Sequence, residues 1–169
     1  MKIHIIGCSG SGKTYLAKKL STKYGIPHFD LDDIQWDNHS EVYGVKMPKE
    51  KRSALFKEIL ANNAWIIEGV YYKWAHESFE AADQIYVLDM PAHLYKSRII
   101  LRFIKRKLGL QEGKKETLKS LRDLLRWTST FQNENMKEIR ELLCPYDSKV
   151  VWLSKKKEIK KSSKHKKDL

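Results

Sequence analysis

Residues 2–14 read KIHIIGCSGSGKT, and this stretch determines the fold. Its apolar run from Lys2 to Ile6 ends at a glycine, as a buried parallel strand does. From Lys13 to Tyr24 the apolar residues change to helical spacing, so strand, glycine loop and helix follow one another. Between them, Gly7 to Thr14 fits the pattern G-x-x-x-x-G-K-[ST] without a gap. The stretch therefore predicts a phosphate-binding P-loop.

The chemistry of phosphate binding explains the residue types in this loop. Glycines let the backbone curl until successive N–H groups point at phosphate oxygens, and the following helix adds the positive end of its dipole. Lys13 supplies a cation to the β- and γ-phosphates, and the Thr14 hydroxyl is a ligand for the Mg²⁺ that bridges them. We expect a purine nucleoside triphosphate, Mg-ATP, held by Gly7, Ser9, Gly10, Ser11, Gly12, Lys13 and Thr14, with Lys13 also catalytic.

Length and composition indicate one globular domain. The chain has 169 residues, 41% of them hydrophobic and 11% aromatic, which is enough to bury a core. No stretch approaches the roughly 20 apolar residues of a membrane span, and no signal peptide is visible, so we expect a cytoplasmic protein with no membrane partner. Cys8 and Cys144 lack metal-ligand spacing and are expected to be free thiols.

The net charge of +12 is unevenly distributed. From Lys155 to Leu169 there are eight lysines and two acids, so this short segment carries +6, half of the total. We expect residues 154–169 to be a frayed, solvated basic tail that follows a domain of residues 1–153. The alternative use of the tail is weak, nonspecific contact with nucleic acid.

Apolar runs alternate with helical patterns along the rest of the chain. This alternation predicts an α/β domain with a mostly parallel sheet. The predicted helices are 13–24, a start at Asp32, 48–60, 91–107 and 116–143, with a polar segment through Gly109 and Gly113 before the last. The predicted strands are 2–6, 26–31, 65–69, 84–89 and 149–153.

The chain resembles the P-loop kinases related to adenylate kinase, and more closely the bacterial DNA topology modulation proteins. The resemblance rests on residues 2–20, 27–32, 65–71 and 83–91 and on Arg98, Arg102 and Arg106, in the family's order. It implies a P-loop NTPase fold of three α/β/α layers, with a five-stranded parallel sheet. It also implies an acceptor-side helical segment after the second strand and a small helical lid after the fourth. Where nucleoside monophosphate kinases have Asp-Gly-Phe-Pro-Arg, this chain has Glu68-Gly69-Val70-Tyr71-Tyr72.

Five acids lie at or just after the ends of strands in the predicted sheet, where open α/β sheets bind ligands. Asp30 or Asp32, and less so Asp33, could accept a proton from an acceptor hydroxyl, although Asp32 could instead cap a helix. Glu68 and Asp89 are alternative candidates for water-mediated Mg²⁺ binding, because each ends a strand beside the P-loop strand in the implied topology. Position in the family favours Glu68, whereas the apolar run before Asp89 resembles a Walker B strand.

Five arginines flank the expected lid at four-residue spacing. Such arrays are often solvated helix faces, but in a lid they would close over the transferred phosphoryl group. We expect Arg102 and Arg122 to act in catalysis and the others to contact the nucleotide; the five are Arg98, Arg102, Arg106, Arg122 and Arg126. Weaker candidates on the acceptor side are Arg52 and the aromatic residues Trp36, Tyr43, Tyr71, Trp74 and Trp127.

Two functions remain open from the sequence. The first is a phosphotransferase that moves the γ-phosphoryl group of Mg-ATP to a small acceptor. The second is a nucleotide-dependent regulatory or DNA-associated protein with weak ATPase activity. The lid arginines and the aspartates favour the first function. The absence of the Asp-Gly-Phe-Pro-Arg block and the presence of the lysine tail favour the second.

Overall fold

All strand pairs in the sheet are parallel, and the strand that carries the P-loop lies at its centre. The computed structural model describes residues 1–37, 44–110 and 117–162. Strand order is β2-β3-β1-β4-β5, which is the five-stranded sheet expected from the sequence. The strands are β1 (Lys2–Gly7), β2 (His28–Asp30), β3 (Trp65–Gly69), β4 (Gln84–Leu88) and β5 (Val150–Leu153).

Helices cover the sheet, and β3 is buried along its whole length. A π-helical segment, Phe131–Asn135, separates α6 from α7, and a 3₁₀ segment, Cys144–Lys149, leads into β5. No helix in the described part of the chain is long and apolar enough to cross a bilayer. The α-helices are α1 (Lys13–Tyr24), α2 (Asp32–Gln35), α3 (Lys49–Ala61), α4 (His76–Ala81), α5 (Ala92–Lys107), α6 (Leu118–Thr130), α7 (Met136–Leu143) and α8 (Lys156–Ser162).

Strand register brings the predicted site residues to one edge of the sheet. Ile5 of β1 pairs with Glu68 of β3, and Glu68 pairs in turn with Asp30 of β2. On the other side, Gly7 pairs with Leu88 of β4. Because the strands are parallel, the P-loop, Glu68 and Asp30 all lie at their carboxyl ends.

Two helical features differ from the sequence prediction. The helix α4 was not predicted, because its six residues are too few to show a clear period. The predicted helix over 116–143 is instead two α-helices joined by the π-helical segment, whose wider turn accommodates an extra residue. The predicted lid falls between α5 and α6; residues 111–116, with Gly113 and the predicted helix start at Glu116, lie outside the described residues.

The frayed terminus predicted from Lys155 needs correction over Lys156–Ser162, which form α8. Ile159 is only 4% exposed and belongs to the hydrophobic core. Glu158 accepts hydrogen bonds from the backbone N–H groups of Ser154 and Lys155, at 2.8 and 2.9 Å, and so caps the start of the helix. One buried isoleucine and this cap explain why a lysine-rich segment is ordered.

Candidate active site

The P-loop adopts the curled backbone that phosphate binding requires. Gly10 and Gly12 have φ angles of 77° and 107°, in the region that side chains with a Cβ rarely adopt. A Cβ on Gly10 would also lie 3.0 Å from the Tyr95 carbonyl oxygen. The loop is closed by a hydrogen bond from the Ser11 N–H to the Cys8 carbonyl, at 3.2 Å. Its conformation therefore depends on glycine at these two positions.

Polar groups in the loop are positioned to receive an anion. Lys13 is 8% exposed, and its Nζ donates to the Cys8 carbonyl at 3.1 Å. Ser11 is fully buried, and its Oγ has no hydrogen-bond partner within the described ranges. A buried hydroxyl without a partner is costly unless a ligand satisfies it. The P-loop, which includes Gly7 and Ser9, thus fits a phosphate group.

Cys8 is buried within this loop and makes no metal site. Burial raises the pKa of its thiol to about 11, against the opposing charge of Lys13. No group of three or more His, Cys, Asp or Glu in the described part of the chain could hold a metal ion. A Mg²⁺ ion here would instead rely on Thr14, one carboxylate and phosphate oxygens, which is the usual arrangement for this cation.

Glu68 lies beside the candidate Mg²⁺ ligand Thr14. Burial alone would raise the pKa of Glu68, but the neighbouring His28 and Thr14 side chains and the charge of Lys13 hold it below its ordinary value. His28 Nε2 is 3.5 Å from Glu68 Oε1, and the glutamate is 1% exposed. The carboxylate is therefore ionised, buried and next to the hydroxyl that would bind the cation.

Asp30 has the opposite electrostatic character. Burial and the neighbouring charge of Glu68 raise the pKa of Asp30 to about 7. The Asp32 N–H donates to Asp30 Oδ1 at 2.9 Å, which fixes the orientation of the carboxyl. A carboxyl with a pKa near neutrality can accept a proton in a reaction at physiological pH. The register pair Asp30–Glu68 thus places a titrating carboxyl beside an ionised one.

Asp32 is part of a ring of contacting side chains. The Tyr71 hydroxyl donates to Asp32, and the Tyr71 ring stacks on Trp74 with centroids 5.4 Å apart. The Arg52 guanidinium lies 4.6 Å from the Trp74 ring centroid, and its Nη1 donates to Gln35 Oε1 at 3.1 Å. Since Gln35 and Asp32 share α2, these five side chains form a closed ring, here called the acceptor wall.

The sequence suggested Arg52, Tyr71 and Trp74 only one by one. Their association was missed because α2, α3 and the turn after β3 are far apart in the sequence and come together only in the folded protein. Trp36 ends α2, Trp127 lies on α6 away from this wall, and Tyr43 falls outside the described residues. Asp33 is exposed on α2.

Asp89 is engaged by other side chains. Gln132 Nε2 donates to Asp89 Oδ1 at 2.7 Å, and Arg140 Nη2 donates to Oδ2 at 2.5 Å. Both carboxylate oxygens thus have protein donors, whereas Glu68 has an oxygen without a hydrogen-bond partner among the described residues. This geometry favours Glu68 over Asp89 as the carboxylate for Mg²⁺.

Arg98 reaches the P-loop from α5. Its Nη1 donates to the carbonyls of Gly10 and Ser11 at 3.0 and 2.8 Å. Arg98 therefore braces the backbone of the loop. Arg102 and Arg106 follow at one and two further turns along α5, about 6 and 12 Å beyond Arg98.

The arginines after the lid are exposed on α6. Arg126 pairs with Asp123 at 3.7 Å, and their side chains are 72% and 51% exposed. Arg122 lies one turn before Arg126 on the same face and is also exposed. A catalytic role for these two residues would require α6 to approach the P-loop.

A cavity of about 340 Å³ opens beside the P-loop. The Ile159 side chain forms part of its wall and would lie 3.8 Å from a Cβ on Gly12. The sequence prediction missed this contribution, since α8 was expected to be a solvated tail; a single isoleucine among lysines was the only signal. The lining residues are Ser11, Gly12, Tyr15, Arg98, Ile159 and Lys160.

No protein-family model matches the chain. The chain is 27% identical over 139 residues to the uncharacterized protein YqaC of Bacillus subtilis (strain 168), covering 82% of this chain and 76% of that protein. It is 26% identical over 163 residues to a shikimate kinase of Chlamydia pneumoniae, covering 87% of each. A solved gluconokinase from Sinorhizobium meliloti 1021 has a TM-score of 0.56 at 14% identity, covering 96% of this chain and 88% of that chain. The structural likeness shows the fold alone, a five-stranded parallel sheet covered by helices.

Proposed function

We propose that this protein is a small-molecule kinase that transfers the γ-phosphoryl group of Mg-ATP to a hydroxyl of a small acceptor. One observation carries the proposal: the P-loop shares its edge of the sheet with the half-buried Asp30 and the buried Glu68, whose pKa values shift in opposite directions. Neighbouring titratable groups that differ in this way are characteristic of acid–base chemistry.

The nucleotide would be held mainly by the backbone of the P-loop. Lys13 would neutralise the β- and γ-phosphates, and Ser11 Oγ would gain the partner that it lacks. The base would enter the cavity beside the loop, between Tyr15, Arg98 and Ile159. A cavity with aromatic, aliphatic and guanidinium walls suits a flat purine ring.

Mg²⁺, held by Thr14 and through water by Glu68, would neutralise charge on the phosphates. Asp30 accepts the proton of the acceptor hydroxyl as that oxygen attacks the γ-phosphorus. The bond from this phosphorus to the β–γ bridging oxygen breaks, so that ADP and the phosphorylated acceptor form. Asp30 then releases its proton to solvent.

The acceptor would bind against the acceptor wall, next to Asp30. Two matched proteins support a hydroxylated metabolite, since their names identify them as a shikimate kinase and a gluconokinase. The block that serves a nucleotide acceptor in monophosphate kinases is replaced here by Tyr71 and its neighbours, which argues against a nucleoside monophosphate.

The direct test is a screen for acceptor-dependent ADP release with Mg-ATP. The panel should include shikimate, gluconate, neutral sugars, nucleosides and nucleoside monophosphates. We expect one class of hydroxyl compound to raise ADP release well above the rate without acceptor, and to appear as a phosphorylated product by mass spectrometry. The Asp30→Asn variant is the control. ADP release unaffected by every compound would contradict the kinase proposal.

A nucleotide-dependent, DNA-associated role is the second candidate, and the cationic α8 favours it. Helix α8 presents Lys157, Lys160 and Lys161 as exposed residues beside the cavity at the P-loop. Retention on duplex DNA that falls steeply with salt and responds to ATP would support this role. Retention that does not depend on nucleotide would indicate only nonspecific electrostatic binding.

A further inference from the structure

The carboxylate of Asp89 is bound at both oxygens by the helical arm that follows the lid. This arm comprises α6, the π-helical segment and α7, residues 118–143. Gln132 binds one oxygen and Arg140 the other, and the Arg140 guanidinium also lies 4.1 Å from the Trp152 ring centroid on β5. The Asp89 side chain is 18% exposed, so these donors replace most of the water around it. The arm is thereby fastened to the carboxyl ends of β4 and β5.

The π-helical segment explains how Gln132 and Arg140 reach one carboxylate. Residues eight apart in a regular α-helix differ in direction by about 80°. A π turn absorbs one extra residue, so the pair behaves as if seven apart and differs by only about 20°. Phe131 and Met136, at 1% and 3% exposure, anchor the same segment in the core.

The fastened end of the arm is continuous with the helix that carries Arg122 and Arg126. Gln132 follows Arg126 by six residues, and α6 begins at a capping box made by Thr117 and Ser120. A rigid helix held at one end transmits the orientation of that end to its whole length. The Asp89 contacts therefore set the direction in which α6 leaves the sheet, and with it the direction of the lid arginines.

We infer that Asp89 is a positioning residue, which acts through Gln132 and Arg140 to hold α6 in the orientation from which Arg122 and Arg126 would approach the transferred phosphoryl group. This role replaces metal binding for Asp89 and rests on the proposed kinase function. A carboxylate with both oxygens bound by protein donors is neutralised and has little capacity left to orient water around Mg²⁺. Misplacing a catalytic group by about 1 Å costs up to about 10²-fold in rate, so the contact matters for turnover.

The test is a double-mutant cycle on the full chain with Asp89→Asn, Arg140→Gln and both together. The control is Lys137→Gln, which removes an exposed charge from the same helix. We expect each single variant to lower kcat by about tenfold or more, and the double variant to fall no further. KM for ATP and the Mg²⁺ concentration for half-maximal rate should stay at wild-type values. Hydrogen exchange of the α6 amides should accelerate in all three cycle variants and not in the control.

Any of four results would overturn the inference. A Mg²⁺ requirement raised by Asp89→Asn but not by Arg140→Gln would make Asp89 a metal ligand. If the effects of the two single substitutions on kcat add in the double variant, the Asp89–Arg140 contact is an ordinary ion pair with no positioning role. Wild-type kcat in the folded single variants would lead to the same conclusion. Hydrogen exchange needs no acceptor. If no acceptor is found for the wild type, the kinase proposal fails, whereas unchanged α6 exchange in the variants contradicts the positioning role.

Discussion

The P-loop and the acceptor wall lie at the same edge of the sheet but are built differently. The loop would bind phosphate through backbone groups of eight consecutive residues, and its conformation is fixed by two glycines with positive φ. The acceptor wall consists of side chains from α2, α3 and the turn after β3, held by contacts such as Tyr71 to Asp32. Backbone recognition suits phosphate, which every nucleotide shares, whereas side chains can change with the acceptor. Substitutions in each region therefore test whether the two act independently.

Lys13→Ala should lower turnover by about 10³-fold or more, because a buried cation on the phosphates has no substitute. The fold should persist, as the Lys13 Nζ donates to a carbonyl of the loop itself, at 3.1 Å. Isothermal titration with Mg-ATP and circular dichroism check both statements. A folded Lys13→Ala variant with wild-type Mg-ATP affinity and turnover would show that Lys13 does not bind phosphate. Lys18→Ala on the same helix is the matched control.

Asp30→Asn should lower kcat by about 10²- to 10³-fold, as expected for loss of a general base. Because the pKa of Asp30 is about 7, wild-type kcat should also decline as pH falls through about 7. An unchanged pH–rate profile in the Asn variant would assign the proton transfer to another group, with Asp32 the next candidate.

The same substitution should raise stability. The folded protein keeps a proton on Asp30 up to about pH 7, whereas the unfolded chain releases it near pH 4. The folded state therefore binds more protons between these values, and the wild type loses stability as pH rises through them. Thermal unfolding should show Asp30→Asn above wild type at pH 8 and equal to it below pH 4.

Arg122→Ala and Arg102→Ala, one on each side of the lid, should test whether the arginine array belongs to the site. At least one should lower kcat by about 10²-fold, with much less change in Mg-ATP affinity, because charge on the transferred group is neutralised mainly in the transition state. Lys119→Ala, an exposed cation on α6, serves as the control. Wild-type kcat in both arginine variants would mean that the arginine array is only a solvated helix face.

Tyr71→Phe should raise the acceptor KM by about tenfold, since Asp32 loses a hydrogen bond that fixes its carboxylate. KM for ATP should not change, because the P-loop makes no use of Tyr71. Steady-state kinetics with each substrate varied in turn gives the comparison. A rise in both KM values would mean that the two regions are not independent, and Tyr146→Phe controls for loss of a hydroxyl elsewhere.

The smallest effect concerns α8. Ile159→Ala removes apolar contact from the cavity wall and should raise the Kd for ATP about fivefold. Deleting residues 154–169 should do at least as much, whereas deleting only 163–169 should not. Lys157→Ala is the control for charge. Unchanged ATP affinity after the longer deletion would exclude α8 from the nucleotide site.

Features that depend on residues close together in the sequence were predicted well. Gly7 to Thr14 needs only its own spacing to define the loop, and short apolar runs sufficed for all five strands of the sheet. The prediction for α8 failed because one residue, Ile159, outweighs its lysines by packing on a distant loop. The partners of Asp89 could not be foreseen either, since Gln132 and Arg140 reach it only through an irregular turn that has no clear sequence pattern.

The two cysteines differ in chemical reactivity, which follows from the burial of Cys8 in the P-loop. Its thiol is inaccessible, and its high pKa keeps it protonated at neutral pH, so alkylating reagents and mild oxidants should spare it. Cys144 is exposed at the end of the helical arm. A maleimide dye should therefore attach to the unmodified protein at this one position. Movement of the arm could then be followed by fluorescence without engineered thiols.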